Sequence, residues 1–248
     1  MATGVTPAPE AQAPVNHFGR LFGVLFSPRQ TFRDIARRPS WVAPIVLLSI
    51  LGLGVGGVMN QRVDWESFIR QQAEKSPRFA QLSEDQKQRA IGMQAKIAPM
   101  IGYGFGLCGP ALVALILAGI YLGVFNLFAG AGLRFGQSFG IVSHALMPSA
   151  IASVLAILTM LFKSHGDVDP ERILASNVAA LLPSDVPRWQ VSLGSSLDLF
   201  WIWALMLMGI GYASTNPMKI STGKAVGLVV GPWAVWVLVK VGWAAAFS

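Results

Sequence analysis

The chain has 248 residues, 53% of them hydrophobic and only 12% charged, and its formal net charge is +7. A soluble globular domain carries about 25% charged residues, so this composition excludes an ordinary soluble fold and indicates a membrane protein. The single cysteine, Cys108, excludes an intrachain disulfide, and the length supports one helical bundle with an arm and two loops but no second domain.

The chain begins with a tail and an arm that precede the first apolar run. Residues 1–15 are rich in Ala and Pro and have neither a basic start nor an apolar stretch, so we expect a disordered tail and not a signal peptide. Residues 16–40 predict amphipathic juxtamembrane helices. In the first of these helices Phe18, Leu21, Phe22 and Leu25 share one helical face.

The second helix of the arm has an apolar face and a basic one. It starts at Ser27-Pro28 and carries Phe32 and Ile35 on one side. The rest of its surface holds Arg29, Arg33, Arg37 and Arg38. We predict that this helix lies in the membrane interface, apolar side down, with each arginine contributing about 1 kcal/mol beside an anionic leaflet. A simpler alternative is that the arginines only orient the first span.

Five stretches predict membrane spans, because each is almost free of charge over the roughly 20 residues that a helix needs to cross a bilayer. The fold class that follows is all-α: a polytopic bundle of five transmembrane helices with polar loops at 60–96 and 163–197. The predicted spans are residues 41–59, 107–129, 139–162, 198–216 and 225–247.

Small residues in the first two spans predict close helix packing. Gly52 and Gly56 form a GxxxG pair, as do Gly119 and Gly123, and such pairs let two helices approach closely. The GxGxxG pattern at residues 52–57 is not a dinucleotide site, because it follows a membrane span and not a β-strand.

The loop 60–96 contains seven basic and five acidic residues. We expect two short amphipathic helices over the membrane surface, the second opened by a capping box at Ser83 and Gln86 and running toward Lys96. Its mixed charge indicates a solvated face, and the positive charge of the whole chain is spread over membrane flanks, so no nucleic-acid partner is predicted.

Prolines predict interruptions of the spans. Residues 97–133 would form a helix of about 55 Å, longer than one bilayer core, so we expect a kink near Pro110 that leaves residues 107–129 as the true span. Pro148 and Pro232 predict kinks in the third and fifth spans. A broken helix can also line a transport cavity, for which the polar candidates are Asn126, Ser143 and His144.

No enzymatic or metal-binding motif withstands inspection. The sequence GQSFG at residues 136–140 matches the GxSxG of serine hydrolases, but His144 lies on a different helical face from Ser138 and is better explained as a structural residue before Pro148. No HExxH and no Cys/His cluster are present. We therefore expect no catalytic residue, no cofactor and no metal.

Two ionisable residues stand out near the ends of the last two spans. Asp198 begins the fourth span and Lys240 lies near the end of the fifth, so both belong to the same membrane face if the spans are antiparallel. A charge in hydrocarbon costs about 2.5 to 3.5 kcal/mol, which favours pairing. We predict an intramembrane ion pair, with snorkelling of Lys240 as the alternative.

Three segments resemble prokaryotic proteins with a Yip1 domain. They are FGRLFGVLFSPRQTFRDIARRPSWVAPIVLL at 18–48, LSEDQKQR at 82–89 and LDLFWIWALMLMGIGYASTNPMKISTGKA at 197–225. Eukaryotic relatives are membrane proteins of the early secretory pathway that engage Rab GTPases and one another. Their acidic-Leu-aromatic-Gly-Pro signature is echoed at residues 198–200 without the Gly-Pro, so the resemblance implies a fold more than an activity.

The resemblance implies a cytoplasmic N-terminus, as does the arginine cluster beside the first span, although eight of 19 Lys and Arg residues fall on that side and eleven on the other. We expect a multi-pass protein of a prokaryotic plasma membrane, without enzymatic activity, acting as a membrane organiser or adaptor. Its expected partners are the bilayer, including anionic lipids, and other membrane proteins or further copies of itself. The alternative is a small-molecule or ion transporter or channel subunit.

Overall fold

The computed structural model describes residues 16–74, 77–183 and 186–246, so the predicted tail at residues 1–15 lies outside the described part of the chain. Within that part the structure is helical, as the all-α prediction requires, and contains no β-strand. A 3₁₀ helix spans Val178–Leu181. The α-helices are α1 (His17–Phe26), α2 (Pro28–Arg37), α3 (Val42–Arg62), α4 (Trp65–Glu74), α5 (Pro77–Ala80), α6 (Glu84–Ala129), α7 (Phe135–Ala145), α8 (Pro148–Phe162), α9 (Arg188–Ser196), α10 (Leu199–Ala213) and α11 (Thr222–Ala246).

Four helical segments among the described residues are long and apolar enough to cross a membrane: α3, α6, the α7–α8 segment and α11. They correspond to the first, second, third and fifth predicted spans. The fourth prediction corresponds to α10, which has 15 residues and is about 22 Å long, shorter than a hydrocarbon core about 30 Å thick. The structure is therefore that of a multi-pass membrane protein, and the fourth predicted span, at residues 198–216, stays a prediction.

The connections between helices gather at two ends of the bundle. At one end, here called the arm end, α1 and α2 lie beside the first turn of α7 and the α10–α11 turn, and Gln137 Nε2 donates to Ala36 O (3.0 Å). At the opposite end, the loop end, Arg62 Nη1 donates to Lys163 O (3.0 Å) and Gln72 Nε2 to Glu171 Oε1 (2.7 Å). The two polar loops thus pack on each other.

The first helix of the loop end is held by its own cap. Asp64 precedes α4 and accepts hydrogen bonds from Ser67 Oγ (2.7 Å) and Ser67 N (3.2 Å). These bonds stabilise the carboxylate and hold the pKa of Asp64 below its ordinary value. The first predicted helix of this loop is therefore present as α4.

The second helix of the loop is not separate from the membrane span. The predicted capping box is confirmed, since Gln86 N donates to Ser83 Oγ (3.4 Å) and Ser83 N to Gln86 Oε1 (3.0 Å). From there α6 continues through Pro99 and Pro110 for 46 residues, about 69 Å, and ends at Gly130 in the left-handed conformation (φ 56°). α6 is therefore one continuous helix through Pro110, and the kink and the span of residues 107–129 stay predictions.

Contact between α3 and α6 explains how Pro110 is accommodated. A proline has no N–H to donate to the carbonyl four residues earlier, here that of Gly106. A Cβ added at Gly52 would lie 2.5 Å from Gly106 O, so this carbonyl faces the Gly52 Cα in the manner of a Cα–H···O contact. Ser49 Oγ donates to the neighbouring Leu107 O (2.7 Å). The second helix therefore remains continuous because the first helix occupies the weakened turn.

The other glycines predicted to pack and the other prolines predicted to kink have different surroundings in the structure. Gly56 faces Tyr103, with 3.5 Å from an added Cβ to Tyr103 Cδ1. In the described part of the chain no atom lies within 4 Å of a Cβ added at Gly119 or Gly123, so neither glycine packs closely against another helix of this chain. The remaining prolines divide: α11 runs through Pro232 as one helix, whereas the third span is interrupted at residues 146–147 before Pro148.

The centre of the bundle is α7, whose residues from 138 to 145 are all buried. Around it, Tyr121 and Phe125 of α6 and Tyr212 of α10 form an aromatic cluster in which Phe125 stacks on Tyr212 at 4.1 Å between ring centroids. The burial of α7 agrees with its small and apolar residues. Close packing around α7 also fixes the positions of the neighbouring helices, against which the arm packs.

Candidate functional site

The arm is locked in place by one buried arginine. Arg20 of α1 is 3% exposed. Its Nε and Nη2 both lie 2.8 Å from Asp34 Oδ2, and its Nη1 donates to Arg38 O (3.0 Å) and Ser40 Oγ (2.6 Å). One guanidinium thus joins α1, α2 and the start of the first span, which uses the fork geometry that favours arginine at such sites.

A close approach of α1 and α2 completes this hairpin. Thr31 Oγ1 donates to Ser27 O (3.0 Å), and a Cβ added at Gly23 would lie 2.5 Å from Thr31 Oγ1. Glycine at position 23 is therefore required by the contact itself. Within the described residues from 16 onward, α1 and α2 are thus joined by side-chain bonds and by close packing.

The apolar face of α2 packs against the bundle and not against lipid, which corrects the predicted orientation of this helix. Phe32 and Ile35 are fully buried. Phe32 contacts α10 at Gly211, where an added Cβ would lie 3.1 Å from Phe32 Cδ1, and Ile35 contacts α7 at Gly140, where the distance to Ile35 Cγ2 is 3.4 Å. Glycines on α7 and α10 create the space that receives the two side chains.

The basic face of α2 consequently points away from the bundle. Its four arginines are all exposed: Arg29, Arg33, Arg37 and Arg38. A polar groove of about 620 Å³ separates this face from the α10–α11 turn, and it is lined by Arg33, Arg37, Gln137, Ser214 and Thr215. A smaller cavity of about 160 Å³ continues past Arg29 toward Ser221 and Thr222. The arm end therefore presents guanidinium and hydroxyl groups with no carboxylate lining either groove among the described residues.

The outer side of α1 is apolar. Phe18, Phe22 and Phe26 follow one another at four-residue spacing and are 73%, 66% and 82% exposed. The predicted face of this helix is divided, because Leu21 is buried with Val24 against the bundle while the phenylalanines are not. A membrane interface would cover such a stripe.

The polar residues proposed for a transport cavity form hydrogen bonds within their own helices or to the adjoining connection. Asn126 closes the α6–α7 connection by accepting from Leu133 N (2.7 Å) and donating to Leu133 O (3.1 Å). Ser143 Oγ donates to Phe139 O (2.6 Å), and His144 Nδ1 lies 2.9 Å from Gly140 O. Ser143 and His144 are completely buried in α7. They brace the interrupted third span before Pro148.

Ser138 is likewise engaged in packing. Its Oγ donates to Ala118 O (2.7 Å) and lies 2.6 Å from the hydroxyl of Tyr212. Because a carbonyl only accepts and the serine has one proton, Tyr212 is the donor in the second bond. The GxSxG match therefore ties α6, α7 and α10 together.

The predicted ion pair between Asp198 and Lys240 is not formed. Asp198 caps α10, accepting from Phe200 N and Trp201 N (both 3.0 Å) and from Ser176 Oγ. Lys240 Nζ donates to two hydroxyls of α9, those of residues 195 (3.0 Å) and 196 (3.2 Å). Both residues line one cavity at the loop end, so the antiparallel arrangement placed them at the same face. The Asp198 carboxylate is instead satisfied by the N-terminal backbone N–H groups of α10, which it caps.

Sequence reasoning missed the role of Arg20, although a signal was present. Asp34 is the only acidic residue between Glu10 and Asp64. A lone acid in an arm with five arginines is a natural partner for whichever arginine lies beside the buried apolar residues, here Arg20 next to Leu21.

Among the described residues no group of three or more His, Cys, Asp and Glu side chains could hold a metal ion.

One family of known proteins matches nearly the whole chain. The family model of the Yip1 domain matches residues 22–244, from the middle of α1 into the last turns of α11. No curated protein and no solved structure gives a match.

Proposed function

This chain belongs to the Yip1 domain family of multi-pass membrane proteins, and from that premise we propose that it is a non-enzymatic adaptor that gathers membrane partners at its arm end. The observation that carries the proposal is the Arg20-locked arm, which holds four exposed arginines on a fixed surface. The partner chemistry that fits this surface is an acidic segment of another membrane protein.

Rigid docking is what makes the basic surface suitable for recognition. Ordering a long side chain or a loop at an interface costs about 0.5 to 1.5 kcal/mol for each immobilised side chain, and a preorganised backbone avoids part of that loss. Arg33 and Arg37 border the groove of about 620 Å³ and face Ser214 and Thr215 across it. A carboxylate entering the groove would meet the forked donors of α2, while the hydroxyls of the opposite wall donate to Ile210 O and Tyr212 O.

The phenylalanine stripe supports the placement of this surface at the membrane boundary. With Phe18, Phe22 and Phe26 in the interface, α1 lies along the bilayer and α2 stands beside it with its basic face toward water. We place the arm end in the cytoplasm of a prokaryotic plasma membrane, because its arginine cluster adjoins the first span.

The transport alternative has less support. A transporter needs a polar cavity within the membrane, and the two larger cavities between the described spans have mostly apolar walls. The polar candidates Asn126, Ser143 and His144 bond to their own helices and connections.

The test uses the full-length protein with its basic surface neutralised. In-cell crosslinking followed by purification in mild detergent should recover a stoichiometric membrane-protein partner with the wild type. That partner should be lost from a variant in which the four arginines are replaced by Gln (R29Q, R33Q, R37Q and R38Q). These side chains are exposed, so the arm should stay docked.

The matched control removes four exposed cations from the loop end instead: R89Q, K96Q, R172Q and R188Q. It has the same net charge as the arm variant and should keep the partner. Equal recovery from both variants, or recovery of anionic lipid alone without protein, would contradict the adaptor proposal.

A further inference from the structure

An apolar cleft opens between α6 and α11 in the described bundle. Its volume is about 620 Å³, within the range of ordinary ligand pockets. At the inner end Tyr121 of α6 donates its hydroxyl to Val229 O of α11 (3.1 Å), which closes the gap. From that bond toward the loop end the two helices are separated, and the walls are apolar side chains such as Ile116, Leu117 and Trp236.

The outer end of the cleft is polar and carries a cation. Lys240 lies about 11 residues, or roughly 16 Å, along α11 from the closing bond at Val229. Its Nζ is held by the hydroxyls of Ser195 and Ser196, both neutral. Among the described residues no carboxylate is within ion-pair distance of this ammonium group.

Asp198 does not compensate that charge, although it lines the same cleft. Its oxygens are occupied by the Ser176 hydroxyl and by two backbone N–H groups of α10. A lysine within a membrane-spanning helix is expensive unless it is paired or reaches the headgroup region. Among the described residues Lys240 therefore lacks an anion, at the polar end of an apolar slot.

We propose that this cleft binds one membrane phospholipid, whose phosphate oxygen accepts from Lys240 and whose acyl chain lies between α6 and α11. The combination of one cation and apolar walls fits the chemistry of that ligand. The phosphate supplies the missing negative charge and the apolar walls receive hydrocarbon. The hydroxyls of Ser195 and Ser196 donate to Ser192 O and accept from Lys240 Nζ, so they hold the ammonium group in position.

The site is separate from the arm and belongs to the opposite leaflet. The arm end binds its partner through α2, whereas the cleft opens at the loop end, where α9 contacts α11. Lipid binding therefore goes beyond the adaptor proposal, and either can fail without the other.

Native mass spectrometry of the detergent-purified full chain tests the site. After incubation with phosphatidylglycerol, the wild type should retain one lipid under activation that removes loosely bound lipid. Lys240→Met keeps the length and apolar stem of the side chain and should lower the apparent affinity about tenfold, because it removes a charge-assisted hydrogen bond. Lys240→Arg should restore retention. Lys224→Met, at the arm end of the same helix, is the matched control and should behave as wild type.

Two further measurements separate phospholipid from other occupants. Diacylglycerol with the same acyl chains lacks the phosphate and should not be retained, and Ile116→Trp should reduce phosphatidylglycerol retention by filling the slot at an exposed position. Undiminished retention by Lys240→Met, equal retention of diacylglycerol, or a lipid-free dimer that Ile116→Trp dissociates would each overturn the proposal. The last result would assign the cleft to a second copy of the chain.

Discussion

Replacing Arg20 by methionine removes the guanidinium that locks the arm while keeping the length and apolar stem of the side chain. The variant loses the ion pair with Asp34 and the hydrogen bonds to Arg38 O and Ser40 Oγ. Breaking a buried pair from one side costs about 3–5 kcal/mol, because the remaining charge stays buried and unpaired. The Asp34 side chain is 20% exposed, so the lower end of that range, about 3 kcal/mol, applies.

The arm should remain docked most of the time but open more often. Burial of Phe32 and Ile35 contributes about 1.5–3 kcal/mol each and still favours the docked state. A loss of about 3 kcal/mol in the free energy of opening corresponds to about a 100-fold increase in the open population. Hydrogen exchange of the α2 amides, measured by mass spectrometry on the full chain in nanodiscs, should accelerate by about that factor.

Two further variants sharpen this test. Arg33→Met changes an exposed arginine of the same helix and should leave α2 exchange unchanged. The double variant Arg20→Met with Asp34→Leu removes both charges and should exchange more slowly than Arg20→Met alone, since no unpaired carboxylate is left. Exchange of α2 in Arg20→Met within twofold of wild type would refute the proposed locking role.

Two packing predictions concern the bundle itself. Gly106→Val should lower the thermal unfolding midpoint in detergent, because an added Cβ would lie 2.6 Å from Gly52 O, whereas Gly119→Val, in open space, should not change it by more than a degree or so; equal midpoints would contradict the close contact. Tyr212→Phe should destabilise the protein by about 1 kcal/mol through loss of the hydrogen bond to Ser138, and an unchanged free energy of unfolding in a denaturant titration would show that this bond contributes nothing.

The membrane architecture could be read from the sequence because lipid leaves the chain few choices. In hydrocarbon every backbone N–H and C=O must be satisfied within a helix, so an uncharged run of sufficient length predicts a span. The capping box at Ser83 and Gln86 was also predictable, because it is a local pattern of side-chain and backbone bonds. Both features depend on residues close together in the chain.

What depended on distant partners could not be read in the same way. The continuity of α6 through Pro110 depends on Gly52 and Ser49, more than 50 residues earlier, which contact the weakened turn of α6. The apolar face of α2 looked like a lipid-binding surface, since nothing local reveals that Gly140 and Gly211 make room for it on α7 and α10. A GxxxG pattern does not identify the helix that it packs against. Gly52 and Gly119 have the same spacing, yet among the described residues Gly52 contacts another helix and Gly119 does not.

In the candidate site, too, the features that depend on local sequence were predictable and those that depend on distant residues were not. The basic surface of α2 was evident from its arginines, because their spacing alone places them on one side of a helix. The pairing of Asp198 with Lys240 was not correct, since each group found a nearer partner. For Asp198 that partner was the first turn of its own helix, a local cap that a sequence beginning a helix with Asp often makes.

The distance along the chain between the arm and its receptor surface has a consequence for biosynthesis. About 180 residues separate Phe32 on α2 from Gly211 on α10, so the arm leaves the ribosome long before this helix, which receives it. At translation rates of roughly 5 to 20 residues per second, Phe32 waits about 10 to 35 s without its partner. During that interval its side chain is open to chaperones and proteases. Docking of the arm thus reports that the last helices have been inserted, which makes it a natural checkpoint for completed assembly.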